Sequence, residues 1–221
     1  IVTAPGDLAP VGGLSARPHP VRGLQALLAY AKTSGVALRW FRDNFAPELS
    51  YDELFREASA IPVGCDGVAC CPHFSGMATP SFDPAIRGAF SGLALSHGRA
   101  HLARSLIESL TFTVRQNLEL FRRCAFPVAP LRAIGGGARS DIWLQMIADA
   151  TGMAVERPRV REAACFGAAQ LAMAADGAFA SVAEASRALY RREREFLPDA
   201  ALRSQYDAAF ERFEKALARI A

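Results

Sequence analysis

Three consecutive glycines constrain this chain more than any other feature. Gly135-Gly136-Gly137 follow the apolar run Leu131-Arg132-Ala133-Ile134 and precede a helical pattern of Ile142, Trp143, Met146, Ile147 and Ala150. The spacing predicts a strand over Leu131–Ile134, a turn, and a helix opened by Ser140 or Asp141. Thr151-Gly152 stops that helix, and Met153–Val155 reads as a second strand. Glycines without Cβ atoms let a ligand approach the backbone, and the following helix offers free N–H groups and a positive dipole end. In an α/β sheet such a turn lies at a strand's carboxyl end, where ligands bind. Gly136 and Gly137 are therefore candidate nucleotide contacts, with a tight turn that binds nothing as the alternative. The pattern is not G-x-G-x-x-G, and no G-x-x-x-x-G-K-[ST] occurs, which argues against dinucleotide-fold and P-loop readings.

The remaining segments read as alternating strands and helices. Residues 1–22 are rich in Pro and Gly and are expected to be irregular. Leu24, Leu27, Leu28 and Ala31 fit either a helix or a buried strand. Helices are expected from Gly35 to about Phe45, with Thr33 or Ser34 as N-cap, and over Tyr51–Ala58, capped by Ser50. Val68–Phe74 reads as a buried strand, Ser75–Gly88 as a loop and Ala89–Leu93 as a short strand or turn. Leu102, Leu106, Leu110, Val114, Leu118 and Phe121 define one face of a long helix capped by Ser96 and closed at Cys124–Pro127, with Arg104 and Glu108 mostly off that face. A small-residue helix follows over Glu162–Asp176, read mainly as tight packing inside one domain; then come a helix from Ser181 and a last one over Ala200–Ala218. This order points to an α/β layered domain.

Composition excludes several classes. The 221 residues carry a formal charge of +3, too mild an excess for a nucleic-acid partner, and the Arg191–Glu195 run reads as a solvated helix face. No apolar stretch has the ~18 residues of a membrane span. Ile1 is not preceded by Met, and the start has no leader pattern, so a fragment is expected. Five cysteines without framework spacing read as reduced, mostly buried thiols of a cytoplasmic protein; a metal site from Cys65, Cys70, Cys71 and His73 is the weaker alternative because its spacing fits no zinc pattern. His97 and His101 have ligand spacing without an accompanying carboxylate motif, and Glu108 reads as solvated or locally paired rather than as a base. Arg39 reads as a surface side chain or a nucleotide neighbour.

Several stretches together carry a resemblance. Gly88-Ala89-Phe90-Ser91-Gly92-Leu93, with His101–Glu108 and the lead-in Phe82–Gly88, is similar to the second signature of the FGGY carbohydrate kinases. Gly135–Trp143, Ala148-Asp149, Gly152, Glu156-Arg157-Pro158 and Ala164–Ala169 are similar to that family too, as is Thr33-Ser34-Gly35 through Phe41. The resemblance implies an α/β, ribonuclease H-like fold of the actin-like ATPase and sugar kinase type, a mixed sheet flanked by helices. It implies residues 1–30 as a segment continuing from a missing N-terminal half, and 30–221 as the C-terminal nucleotide-binding domain. It implies ATP and Mg²⁺, a small sugar or polyol acceptor such as D-xylulose, and transfer of the γ-phosphoryl group by positioning and charge neutralisation. Residue by residue, it places Gly35, Arg39, Gly136, Gly137 and Asp141 at the nucleotide, with Asp141 standing where the glycerol kinases have Asn. The Glu162–Asp176 helix resembles the family's domain-connecting helix.

The family's D-x-G-T motif and its Gly-Asp segment with the catalytic base are absent from this sequence, so no catalytic residue is assigned. The chain alone is expected to be catalytically silent, with the other half as its partner and a homodimer as a further expected assembly. A non-enzymatic nucleotide-binding or assembly module of the actin-like superfamily is the alternative from another class. Glycerol, ribulose and gluconate are the alternative acceptors, and a metal-binding protein is a third reading.

Overall fold

The leucine series of the long helix places its centre where every other helix must meet it. In the computed structural model, which describes residues 1–6, 12–128 and 130–220, this helix runs over Arg99–Arg123 and is the fold's axis. Pro10, counted in the expected N-terminal loop, lies outside the described residues. All positions from Ala103 to Thr113 are buried, not only the apolar face the spacing predicts. The helix stays soluble in its own core because its polar side chains are paired. Ser109 and Thr111 hydroxyls donate to the carbonyls of Leu106 and Ile107 at 2.8 Å each, and Thr113 donates to Ser109 at 2.9 Å.

The elements in chain order are β1 (Val2–Pro5), β2 (Ser15–Pro18), β3 (Leu24–Leu28), α1 (Gly35–Phe45), α2 (Tyr51–Ser59), β4 (Ala69–Cys71), β5 (Ala89–Ser91), α3 (Arg99–Arg123), β6 (Leu131–Arg132), α4 (Asp141–Thr151), β7 (Val155–Pro158), α5 (Ala163–Ala175), α6 (Val182–Leu189), β8 (Arg192–Phe196) and α7 (Arg203–Ala218). The strands make three sheets: β1-β3-β2 and β4-β5, both antiparallel, and β6-β7-β8 with β6 parallel to β7. One side of α3 packs with α1, α2 and α4 through Phe41, Leu54, Leu106, Leu110 and Met146. The other side receives α7 and β4 through Phe112, Tyr206, Phe210 and Phe213. Its C-terminal end, at Leu120 and Phe121, carries the β1-β3-β2 sheet.

Several expectations change. The stretch 1–22 read as irregular holds two strands, β1 and β2, with Gly12 and Gly13 in the turn between them and Gly23 in the turn to β3. Leu24–Leu28 is a strand, with Leu27 fully buried. The strand expected over Val68–Phe74 is cut to three residues by Pro72, which has no N–H for a ladder. The strand expected over Met153–Val155 begins at Val155 and extends to Pro158. Gly98, not Ser96, is the N-cap of α3; its N–H donates to His101 Nδ1 at 3.1 Å, and Ala94 N–H donates to His97 Nδ1 at 2.9 Å. Both Nδ1 atoms are thus occupied by local backbone, and His101 Nε2 lies 3.3 Å from Asp66 Oδ2. The Arg191–Glu195 run is not a helix face: Arg192–Phe196 is an edge strand whose charges meet Glu156 and Asp141. On α5 only Gln170 is buried, and Leu171 and Met173 are exposed, so the small-residue helix is not packed tightly inside this domain.

Glu108 is locally paired but not solvated. Arg104 Nε donates to Glu108 Oε1 at 2.8 Å, both side chains being nearly inaccessible. Arg104 Nη2 reaches the Tyr206 hydroxyl at 3.2 Å. The Gly64 N–H donates to the same carboxylate at 3.1 Å, and Cys65 Sγ approaches it at 3.4 Å. This network ties α3 to α7 and to the turn before β4. Burial also keeps the nearby thiols neutral, with Cys70 pushed up to about 12. Glu108→Ala would leave Arg104 buried without its counter-charge and lower stability by about 3–5 kcal/mol, whereas Arg104→Met with Glu108→Leu should recover most of it. Urea denaturation of the three variants checks this.

His73 supplies a pH handle. It is 2% exposed, and its Nε2 is buried without a hydrogen-bond partner among the described residues. Burial holds its pKa below the ordinary 6.5. Below pH 6.5 the unfolded chain takes up a proton that the folded chain refuses, so stability falls as pH falls. Comparing urea midpoints from pH 7 down to 5 should show a shallower acid-side slope for His73→Gln than for the parent chain.

Candidate functional site

The triple glycine lies where its sequence setting predicts, at the carboxyl end of a parallel strand. Ala133 N–H still donates to Glu156 of β7 at 2.9 Å, and the chain then leaves the sheet. Gly135 turns with φ of 75°, a conformation that favours glycine. Gly136–Arg139 form one 3₁₀ turn anchored by buried Ala138. Ser140 then caps α4, its hydroxyl accepting from Trp143 N–H at 3.2 Å.

Opposite this turn stand the N-termini of two other helices. Gly35, Val36 and Arg39 come from the start of α1, and Ser50, Tyr51 and Asp52 from the start of α2. Together with Gly136, Gly137 and Arg139 they enclose a cleft of about 740 Å³. Its floor is apolar: Leu38, Phe55 and Trp143, the last two with stacked rings 5.9 Å apart. Trp143 is fixed in turn by its Nε1 donating to Thr111 of α3 at 3.0 Å. Ser50 and Glu53 form a reciprocal capping box at α2, and these bonds hold the Glu53 carboxyl below its usual range. Ser34 precedes α1 but makes no side-chain cap, so the first-turn N–H groups of α1 are not consumed by one. Thr33, the other expected cap, donates instead to Pro72 O at 2.8 Å.

The electrostatics favour an anion with a flat apolar part. Arg39 and Arg139 are exposed, and among the described residues neither makes an ion pair. Among the described residues Asp52 is the one carboxylate lining the cleft. The glycines differ in what surrounds them. A Cβ on Gly35 or Gly136 would meet nothing within 4 Å, so packing does not require glycine at either position. A Cβ on Gly137 would come within 2.9 Å of Trp143 Cζ3, so that glycine lets the turn lie against the indole.

Four of the five site residues expected from sequence therefore share one cleft: Gly35, Arg39, Gly136 and Gly137. Asp141 does not join them. Its carboxylate pairs with Arg157 of β7 and Arg194 of β8, behind the turn, and it borders a separate hollow of about 570 Å³ with Arg104, Gln145 and Asp149. Arg157 also donates to Ala138 O at 3.2 Å, so this cluster clamps the glycine turn to the sheet. Sequence reasoning missed Tyr51, Asp52, Phe55, Arg139 and Trp143 as cleft residues. Only Arg139 and Trp143 carried a signal, their nearness to the glycines.

Residues 5–175 match the FGGY family of carbohydrate kinases, C-terminal domain. The chain belongs to that family. Among its relatives, the xylulose kinase of Bacillus subtilis is 35% identical over 181 residues, covering 82% of this FGGY chain and 36% of that protein. The glycerol kinase of Acidovorax sp. is 36% identical over 190 residues, covering 84% of this chain and 38% of that protein. The crystal structure of xylulose kinase from Rhodospirillum rubrum superposes with a TM-score of 0.86 at 28% identity, covering 99% of this chain and 44% of that one. The fold is thus that of the actin-like sugar kinases, and the likeness includes α6, β8 and α7, which lie past the family match. This FGGY chain spans well under half the length of these relatives.

Replacing Gly137 with Ala should force the turn off the indole and lower stability by about 1–3 kcal/mol, as overpacking does. Thermal unfolding and a shifted Trp emission maximum would register it.

Proposed function

We propose that this chain is the nucleotide-binding half of a sugar kinase that moves the γ-phosphoryl group of ATP onto a sugar hydroxyl, with D-xylulose as acceptor. One observation carries the reading: Gly136 and Gly35 face each other's helices across an open cleft, and neither needs to be glycine for packing. Bare backbone there serves something that enters from solvent. An adenine suits the apolar floor of Leu38, Phe55 and Trp143, while Arg39 and Arg139 suit phosphate oxygens. The N-terminus of α1 adds N–H groups for the same charge.

The acceptor choice is supported by the xylulose kinases of B. subtilis and R. rubrum. Glycerol is the second reading, favoured by the comparable identity of the Acidovorax protein, 36% against 35% for the B. subtilis one. Among the described residues the cleft carries no candidate for the base that takes the sugar proton, since Asp52 is its one carboxylate there and sits at a helix N-terminus. We assign that base, the sugar site and the partner of the exposed α5 face to the other half of the protein. Mg²⁺ fits poorly to this chain's own side chains: among the described residues no three His, Cys, Asp or Glu converge. Such an ion is held largely by the nucleotide's phosphates. A cytoplasmic setting belongs to the same proposal; among the described residues no helix is long and apolar enough to cross a membrane.

Titration calorimetry with ATP and with adenosine tests the cleft. The parent chain should bind both, ATP more tightly. Gly136→Val should unfold within about 1 kcal/mol of the parent, because its side chain enters open space, yet lose both ligands. Arg39→Ala and Arg139→Ala should weaken ATP while leaving adenosine unchanged. Retention of ATP binding in Gly136→Val would sink the reading. For the acceptor, phosphoryl transfer by the protein together with its other half should prefer D-xylulose over glycerol.

A further inference from the structure

We infer, on the nucleotide reading above, that Asp52 accepts a hydrogen bond from the 6-amino group of the purine and so selects a base that bears an amine there. The cleft is polarised. Arg39 and Arg139 line it as cations without an ion pair, and Asp52 lines it as a carboxylate. Among the described residues Asp52 pairs with neither arginine, nor with Arg56 one turn further along α2. Opposite charges therefore share the apolar floor of Leu38, Phe55 and Trp143 without neutralising one another. A ligand complementary to such a lining has anionic oxygens, a flat apolar body and a hydrogen-bond donor.

The helices assign these parts to different walls. Arg39 follows Gly35 by four residues on α1, so the cation and the bare backbone of that helix start lie on one face. Asp52 precedes Phe55 by three residues on α2, which places the carboxylate beside the ring that stacks with Trp143 at 5.9 Å. A base resting on this floor turns an edge toward Asp52, while phosphates reach the α1 wall.

The other polar side chains of the α2 and α4 starts are committed or indifferent. The Ser50 hydroxyl is bonded to Glu53, and the Ser140 hydroxyl accepts from Trp143 N–H. Tyr51 lies under Arg42, whose guanidinium carbon is 4.4 Å from the ring centre. A phenol both donates and accepts, so it does not distinguish an amine from a carbonyl. The capping box of α2 is complete with Ser50 and Glu53, so Asp52 is not needed to close it. A carboxylate offers acceptors only. An amine at C6 satisfies it; a hydrogen there leaves it unmet, and an oxygen there sets acceptor against acceptor.

Titration calorimetry with ATP, purine riboside triphosphate and ITP tests this. These ligands share one triphosphate and bear an amine, a hydrogen and an oxygen at C6, so ratios of affinity cancel the charge of Asp52 acting on the phosphates. The parent chain should bind ATP about tenfold more tightly than either analogue, the scale of one hydrogen bond to a charged group. Asp52→Ala should keep the parent's melting temperature within a few degrees and cut both ratios to about threefold or less. Glu53→Ala breaks the capping box but should leave both ratios at about ten. Unchanged ratios in Asp52→Ala, or an equal collapse in Glu53→Ala, would overturn the assignment while ATP binding still upheld the cleft. Equal binding of all three ligands by the parent would do the same. A parent chain that bound none of them would remove the nucleotide reading and Asp52's role together.

Discussion

The middle of α3 is enclosed on all sides, and this enclosure sets the position of everything else. A helix buried around its whole girth cannot shift without breaking contacts to α1, α2, α4, α7 and β4 together. The cleft inherits its rigidity from this arrangement. Trp143, which supports the glycine turn, is bonded to Thr111 at the centre of α3. Phe55, which supports the opposite wall, packs in the same cluster as Leu106 and Leu110. The two walls are therefore referenced to one axis rather than to each other.

The same logic explains why the axis tolerates charge. Arg104 and Glu108 would be costly at such depth if either stood alone. They neutralise one another, and their remaining capacity is taken up by Tyr206, Gly64 and Cys65. The network joins segments distant in sequence, from the turn before β4 to the last helix. The Asp141–Arg157–Arg194 cluster does a comparable job for the glycine turn, holding it from behind while its front stays bare.

What could be read from sequence was mostly what is decided locally. The strand, glycine turn and Ser140 cap were legible because turn chemistry and capping need only neighbouring residues. The helix over Tyr51–Ser59 was legible for the same reason, through its Ser50 cap, and that over Gly35–Phe45 through its apolar run, since neither Thr33 nor Ser34 caps it by side chain. Their meeting across the cleft was not, because no local pattern says that the start of α2 faces Gly137. The local pairing of Glu108 was among the readings the sequence allowed, but its burial was not legible, because a helix buried all round has no polar face to betray it. Arg192–Glu195 was misjudged because alternating charge suits a strand as well as a helix, and only pairing with β7 decides. The strands before Leu28 were hidden by the density of Pro and Gly. Asp141 shows the limit of carrying a family position across: its side chain pairs with Arg157 and Arg194 instead of lining the cleft.

The sheet that carries the glycine turn is asymmetric at its two edges. On β8 the exposed Arg192, Glu193, Arg194 and Glu195 line the outer rim, with side chains already engaged across the strands. A neighbouring chain that tried to extend the sheet on that side would have to desolvate four charges and break their pairs. Strand addition is thereby disfavoured at the solvent-facing rim of β8, whose charges guard that edge against end-to-end stacking of sheets.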